Sequence, residues 1–215
     1  MAFLSTLFSQ VINGLQSGSI YALVALGYSM VYGIIMLLNF AHGDIIMIGA
    51  YVVWFTIVNF GLHPVVSILL AIAVSTVLGV VIEKVAYAPL RSSPRLSLLI
   101  TAIGISFLLE NGAQLVFGAG AKVVPTFLTG PSLRMGSATI SFPALVTIAV
   151  TVVIMIGLTL LVQKTKLGKA MRAVSEDMGA AQLMGINLNT TISFTFALGS
   201  ALAAVASVLY LSSYS

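Results

Sequence analysis

Six separate runs of roughly 20 residues, each nearly free of charge, divide this chain, and a run of that length is what a helix needs to cross a bilayer. They cover about 11–38, 45–62, 65–82, 96–117, 143–162 and 190–211. Between them little is left for water. Charged residues make up 7% of the 215 and hydrophobic ones 60%, with a mean hydropathy of +1.15. Soluble domains carry about a quarter charged residues. The chain cannot clothe a water-facing surface, so membrane lipid is its main solvent. The pattern predicts an all-α, polytopic transmembrane helix bundle forming one domain over 1–215.

The connections give the orientation. Gly61, His63 and Pro64 predict a tight turn between the second and third spans. Pro89 and Pro94 punctuate a polar connection after the third, and 118–142, rich in Gly, Pro, Ser and Thr, reads as a longer loop. On one side lie Lys84, Arg91, Arg95, Lys164, Lys166, Lys169 and Arg172; the other side holds only Lys122 and Arg134. The positive-inside rule puts the first group in the cytoplasm. Six full spans then place both termini outside, whereas a break within the membrane at 39–44 moves the N-terminus to the cytoplasm.

Composition also excludes several functions. The chain has no Cys, so disulfides and thiolate chemistry are absent. A net charge of +4 says little about nucleic acid, since the nine Lys and Arg are too few and cluster near the membrane ends. The start MAFLSTLFSQ lacks the basic residues of a secretory leader and is expected to belong to the mature protein. Ser17-Gly18 with His42 hints at a rhomboid-type dyad, but Leu15 stands where that motif needs Gly. No phosphate-binding loop occurs; LGKAM lacks the earlier Gly and the Ser or Thr.

Three polar stretches interrupt the apolar pattern. In LLNFAHGDIIMIG (37–49), Asn39, His42, Gly43 and Asp44 fall within six positions. Two ligands do not make a zinc shell, which takes three or four. Two readings remain: a broken helix facing a pathway, with Asp44 capping a helix that begins at Ile45, or a plain cytoplasmic turn. Glu110, beside Asn111 in the fourth span, is an intramembrane ionisable residue, either functional or a snorkelling side chain near the interface. The third stretch is KTKLGKAMRAVSEDMGAAQLMGINLN (164–189). Leu167, Met171, Val174, Met178 and Ala181 recur at helical steps, with Lys169, Arg172, Glu176 and Asp177 largely off that stripe. An amphipathic helix of this kind either docks into a groove on a soluble partner or lies on the membrane surface. Gly179 and Gly185 would interrupt or end it.

Gly168, Arg172-Ala173 and Ala180-Ala181-x-x-x-Gly185 resemble the cytoplasmic coupling loop of bacterial ABC-importer permeases, with Gly179 in place of the motif's Glu. GSIYALVALGYSMVYGIIMLLNFAHGDIIMIGAY and TAIGISFLLENGAQLVFGA are similar to the LivH-type permease of high-affinity branched-chain amino acid transport. The resemblance covers nearly the whole chain. It implies a second, LivM-like permease as partner, two ATP-binding subunits holding ATP and Mg, and a periplasmic amino-acid-binding protein. It places the chain in the bacterial inner membrane, without catalytic residues, metal or cofactor of its own. Arg172, Glu176, Asp177, Ala180, Ala181 and Gly185 would then contact the ATPase. Family members usually continue beyond the region matching 190–211, so the chain is expected to be C-terminally truncated. Leucine, isoleucine or valine is the expected cargo; urea, short amides and other amino acids are the alternatives. A rival of another class, a stand-alone channel or ion-coupled carrier, would want paired intramembrane charges, and here only Asp44 and Glu110 qualify.

Overall fold

A computed structural model describes residues 2–36, 38–91, 93–135 and 138–214. Six of its helices are long and apolar enough to cross a membrane. They are α1 (Ala2–Ile35), α2 (His42–Phe60), α3 (Pro64–Ile82), α4 (Arg95–Phe117), α5 (Phe142–Lys164) and α8 (Leu188–Ser213), with two short helices, α6 (Lys166–Glu176) and α7 (Met178–Leu183), before the last. The third spanning segment runs further than its sequence suggests. Beyond Ile82 the chain makes a π turn over Glu83–Tyr87 and a 3₁₀ turn over Ala88–Leu90, so Pro89 ends a helix rather than punctuating a loop. The 118–141 connection carries a small hairpin, β1 (Leu133–Met135) against β2 (Ala138–Ile140), antiparallel with Leu133 opposite Ile140. This addition to an otherwise helical fold lies where the sequence predicts only loop.

Gly61 adopts a left-handed conformation, φ 60°, and closes α2 with its amide donating to the Ile57 carbonyl. Two residues on, His63 caps α3 by accepting from the Val65 amide, and Pro64 fills the first helical position, where no N–H is needed. This chemistry reverses the chain in three residues.

The hub is α8, which packs against α1, α2 and α3. Its window is 67% buried, against 11–33% for the other spans. Small residues make this contact. A Cβ added at Gly27 of α1 would lie 3.0 Å from the Gly199 carbonyl oxygen, and one at Gly79 of α3 would lie 2.6 Å from Ser200 Cβ. Gly49 of α2 likewise leaves room for Ser207 Oγ, 2.7 Å from its missing Cβ. Of two small-residue stripes visible in the sequence, Gly199-Ala203-Ser207 is buried in this hub. The other, Gly14-Gly18-Ala22 on α1, has open space around both glycines.

The first half of α1 lies with the end of the chain. Gln16 Nε2 donates to Ser213 Oγ at 2.7 Å, and the Ser17 and Tyr214 hydroxyls are 3.0 Å apart. α1 also touches β2 there, while its other end meets α6. The described N-terminal residues therefore share a face with the 118–141 connection, opposite the basic face of 83–95 and 164–187.

Gly79→Ala should destabilise the bundle by about 1–3 kcal/mol through overpacking, against the gain of about 1 kcal/mol that Gly→Ala brings in an open helix. Gly14→Ala should do no harm. Thermal unfolding in detergent, followed by loss of the monodisperse peak, checks both.

Candidate functional site

Leu37 lies outside the described residues, but the chain on either side of it shows how the break at 39–44 is built. α1 stops at Ile35, and Met36 takes a positive φ of 53°. The backbone then turns back into the bundle before α2 begins. Asn39, His42 and Asp44 are all buried, at 3%, 2% and 6% exposure. Their depth follows from their neighbours. The His42 ring sits against Gly27, whose missing Cβ would lie 3.0 Å from Nε2, and Gly27 in turn touches Gly199. Gly199 is eleven residues into α8, so it lies about 16 Å above that helix's basic end at 1.5 Å per residue. The non-helical stretch is thus a re-entry inside the membrane, with Asn39 and Ala41 enclosed by protein while Leu38 and Phe40 stay exposed on the outer side. It leaves the six-span count intact.

Each polar group there has its own surroundings. Tyr87 OH donates to Asn39 Oδ1 at 2.9 Å, tying the re-entry to the π turn. His42 meets Tyr28 edge to face at 5.8 Å and faces the Val24 carbonyl. Asp44 faces Ser106 and Glu110 of α4. Gly43 is exposed, with open space about it. The expectation that Asp44 caps a helix starting at Ile45 fails. α2 begins at His42, Ala41 is its N-cap without a side-chain bond, and Asp44 sits inside the first turn. Its charge suits a helix N-terminus electrostatically. Yet His42 Nε2 and Asp44 Oδ2 have no hydrogen-bond partner among the described residues. Glu110 and Asn111 are exposed on α4, Asn111 bonding back to the Phe107 carbonyl.

On the basic face, 164–189 folds as two helices rather than one. Asp177 takes an extended conformation between them and caps α7, its Oδ1 accepting from the Ala180 amide at 3.0 Å. The interruption thus falls at Asp177, not at Gly179. Gly185, φ 83°, ends the segment in a left-handed turn. Met171, Val174 and Ala181 point inward, while Arg172, Glu176, Asp177 and Ala180 are exposed and Ala173 half-buried. Gly168 is a packing residue. A Cβ there would come within 2.5 Å of Val162 Cα, so glycine lets α6 fold back against α5. At the tip of α7, Leu183 and Met184 are 90% and 83% exposed. They project beyond the residues Met171, Val174 and Ala181 that this segment buries.

A second polar centre escaped the sequence reading. Glu83, fully buried at the start of the π turn, forms an ion pair with Arg91 and accepts from Ser193 Oγ at 2.5 Å. Arg91 Nη1 also donates to Asn189 Oδ1 at 2.5 Å. The cluster ties the end of α3 to the start of α8. The available signal was a Glu one residue past an apolar run with an Arg eight positions on, which the assignment of 83–95 as polar connection absorbed. Removing one partner of a buried pair strands the other, so Arg91→Met should cost about 3–5 kcal/mol and Arg91→Lys clearly less. Yield and melting temperature of the purified chain would show it.

Against known proteins, residues 10–215 match the family described as branched-chain amino acid transport system / permease component. The chain is 44% identical over 212 residues to the high-affinity branched-chain amino acid transport system permease protein BraD of Pseudomonas aeruginosa, covering 93% of this chain and 69% of that protein. With the same coverage it is 42% identical to the LivH permease protein of Salmonella typhimurium and 40% identical to that of Escherichia coli K12. No solved structure matches.

Proposed function

Because this chain belongs to the branched-chain amino acid transport system permease family, we propose that it forms one membrane-spanning half of an ATP-driven importer for leucine, isoleucine and valine. It is a multi-pass membrane protein and a transport subunit. In the proposed assembly its basic face lies in the cytoplasm of a bacterial cell, the membrane being the inner one. A second permease packs beside it, for which the open Gly14-Gly18 face of α1 offers a close-approach surface. Two ATP-binding subunits hold ATP and Mg below, and a periplasmic binding protein delivers the amino acid above.

One observation supports the coupling step. α7 is a short helix that presents Leu183 and Met184 outward from the basic face, fixed at one end by the Asp177 cap and at the other by the Gly185 turn. Two exposed apolar side chains on a rigid tip suit a groove on a soluble partner, and Arg172, Glu176 and Asp177 around them would orient it. Closure of the ATPase pair would displace α6 and α7. Their contacts with α5, α8 and α1 would carry that displacement into the spans.

Co-reconstitution tests the reading. Liposomes holding this chain, its permease partner and the ATPases should take up leucine from a loaded binding protein only with ATP. Uptake without any ATPase subunit would overturn it. Leu183→Glu should cut ATP-driven uptake by about tenfold or more while the complex's membrane subunits remain folded, since a charge replaces a buried apolar anchor. Gly185→Glu should uncouple as well. Gly185→Asn should retain more activity, because Asn tolerates the left-handed turn. Unchanged uptake in Gly185→Glu would remove that residue from the coupling surface.

A further inference from the structure

Between the basic ends of α3 and α8 the bundle leaves a cleft of about 400 Å³, lined by Val80 and Lys84 on one side and by Asn189, Thr190, Phe194 and Ala197 on the other. That volume suits a small molecule or a headgroup. Two contacts fix how the walls stand against each other. Gly79 meets Ser200, and one turn further on Glu83 accepts from Ser193 Oγ. The two helices therefore run antiparallel here, and polar and apolar lining fall at different heights. Lys84, Asn189 and Thr190 stand at the basic end. Val80 lies one turn deeper on α3, and Ala197 lies seven residues beyond Thr190, about 10 Å deeper along α8.

The polar end is short of acceptors. Glu83 is answered by Arg91, and this is the one ion pair among the described residues, so Lys84 stands there as an unbalanced cation. Hydrogen-bond donors are left over as well. Asn189 Oδ1 accepts from Arg91, which leaves its amide nitrogen to donate. The Thr190 backbone amide donates to Asn187 Oδ1, which leaves its hydroxyl. α8 begins at Leu188, so the positive end of its dipole adds to the same rim. Together these groups suit an anion with several acceptor oxygens, such as a phosphate diester.

The apolar end points to what carries that anion. Val77, Val81 and Val85, exposed beside Val80 and Lys84, make the neighbouring surface hydrocarbon. In a membrane-spanning segment such a surface faces lipid. A soluble anion would use only the rim of the cleft, and a bare hydrocarbon only its walls. A molecule with a phosphate at one end and an acyl chain at the other uses both. Basic pockets between spanning helices at the level of the headgroups suit anionic lipids in this way.

We propose that this cleft binds a phospholipid of net negative charge from the leaflet at the basic face, its phosphate held by Lys84, Asn189 and the Thr190 hydroxyl, and an acyl chain laid against Val80, Phe194 and Ala197. The site does not depend on what the transporter carries. Lipid bound there lies against the Glu83, Arg91 and Ser193 cluster and braces the joint between α3 and α8.

Native mass spectrometry of the purified full chain tests this, with dioleoyl-phosphatidylglycerol or dioleoyl-phosphatidylcholine added to the detergent. A single copy of the anionic lipid should stay bound under conditions that strip the zwitterionic one, and it should raise the midpoint of thermal unfolding. Lys84→Gln should weaken its apparent affinity about fivefold, the effect of one cation at a charged membrane surface. Thr190→Val should weaken it too, and Lys84→Arg should preserve it. Lys122→Gln, on the opposite face, should change nothing. Equal retention of the two lipids would overturn the site, as would parental affinity in Lys84→Gln. Inorganic phosphate that raises the midpoint as far as the anionic lipid does would overturn it in favour of a free-anion site. The lipid should also remain on the chain in the complete transporter; its exclusion there would make the cleft a contact between subunits and overturn the lipid site.

Discussion

Close backbone contact around α8 is the constraint on which the rest of the structure depends. In a bilayer, apolar side chains gain little by leaving lipid for a neighbouring helix, so helices associate through dispersion contacts and hydrogen bonds at short range. Gly27 against Gly199, Gly79 against Ser200 and Gly49 against Ser207 give three helices that short range on one hub. The room left at Gly27 also admits the His42 ring, so the same contact that seats α1 on α8 fixes the depth at which α2 begins. By contrast, α4 and α5 bury only 17% and 11% of their windows. They contribute surface to whatever surrounds this chain more than they contribute core.

The two buried carboxylates show how differently one bundle handles charge. Glu83 is fully enclosed, and Arg91 and Ser193 complete its bonds. It ties elements together at the basic face and needs nothing from outside the chain. Asp44 is nearly as enclosed, yet one of its oxygens is left open. Leaving a buried carboxylate oxygen unbonded is costly.

What the sequence made legible was the part governed by long averages. Six apolar runs became six helices because a twenty-residue mean survives errors of a few positions at each end. The hub stripe was legible too, since Gly199, Ala203 and Ser207 recur at four-residue steps. The re-entry was visible as a cluster of Asn39, His42 and Asp44, but its depth was not, because depth is set by Gly27 and Gly199, far away in the chain. Capping was misjudged by three residues: buried helix starts draw on tertiary neighbours, so the preference for Asp at a cap position carried less weight than the packing of His42. The 164–189 segment kept its apolar stripe through Val174 and Ala181, yet it broke at Asp177, where a side chain that can cap its own backbone outcompeted helix continuation. Glu83 stayed hidden since its partners, Arg91, Asn189 and Ser193, meet it only through the turn chemistry of 83–91.

That turn has a consequence for register. A π turn accommodates one residue more than an α turn, and one residue is about 100° of rotation about the axis. Every side chain from Tyr87 onward is therefore out of phase with the face it would share in an unbroken α3. The extra residue brings Tyr87 round to Asn39 and lets Arg91 come back over Glu83. α3 is in effect two helical segments with different phases, spliced at the level where the re-entry and the start of α8 meet. Absorbing the inserted residue into a regular α-helix would swing the lower segment away from both at once, without any change in the spans above.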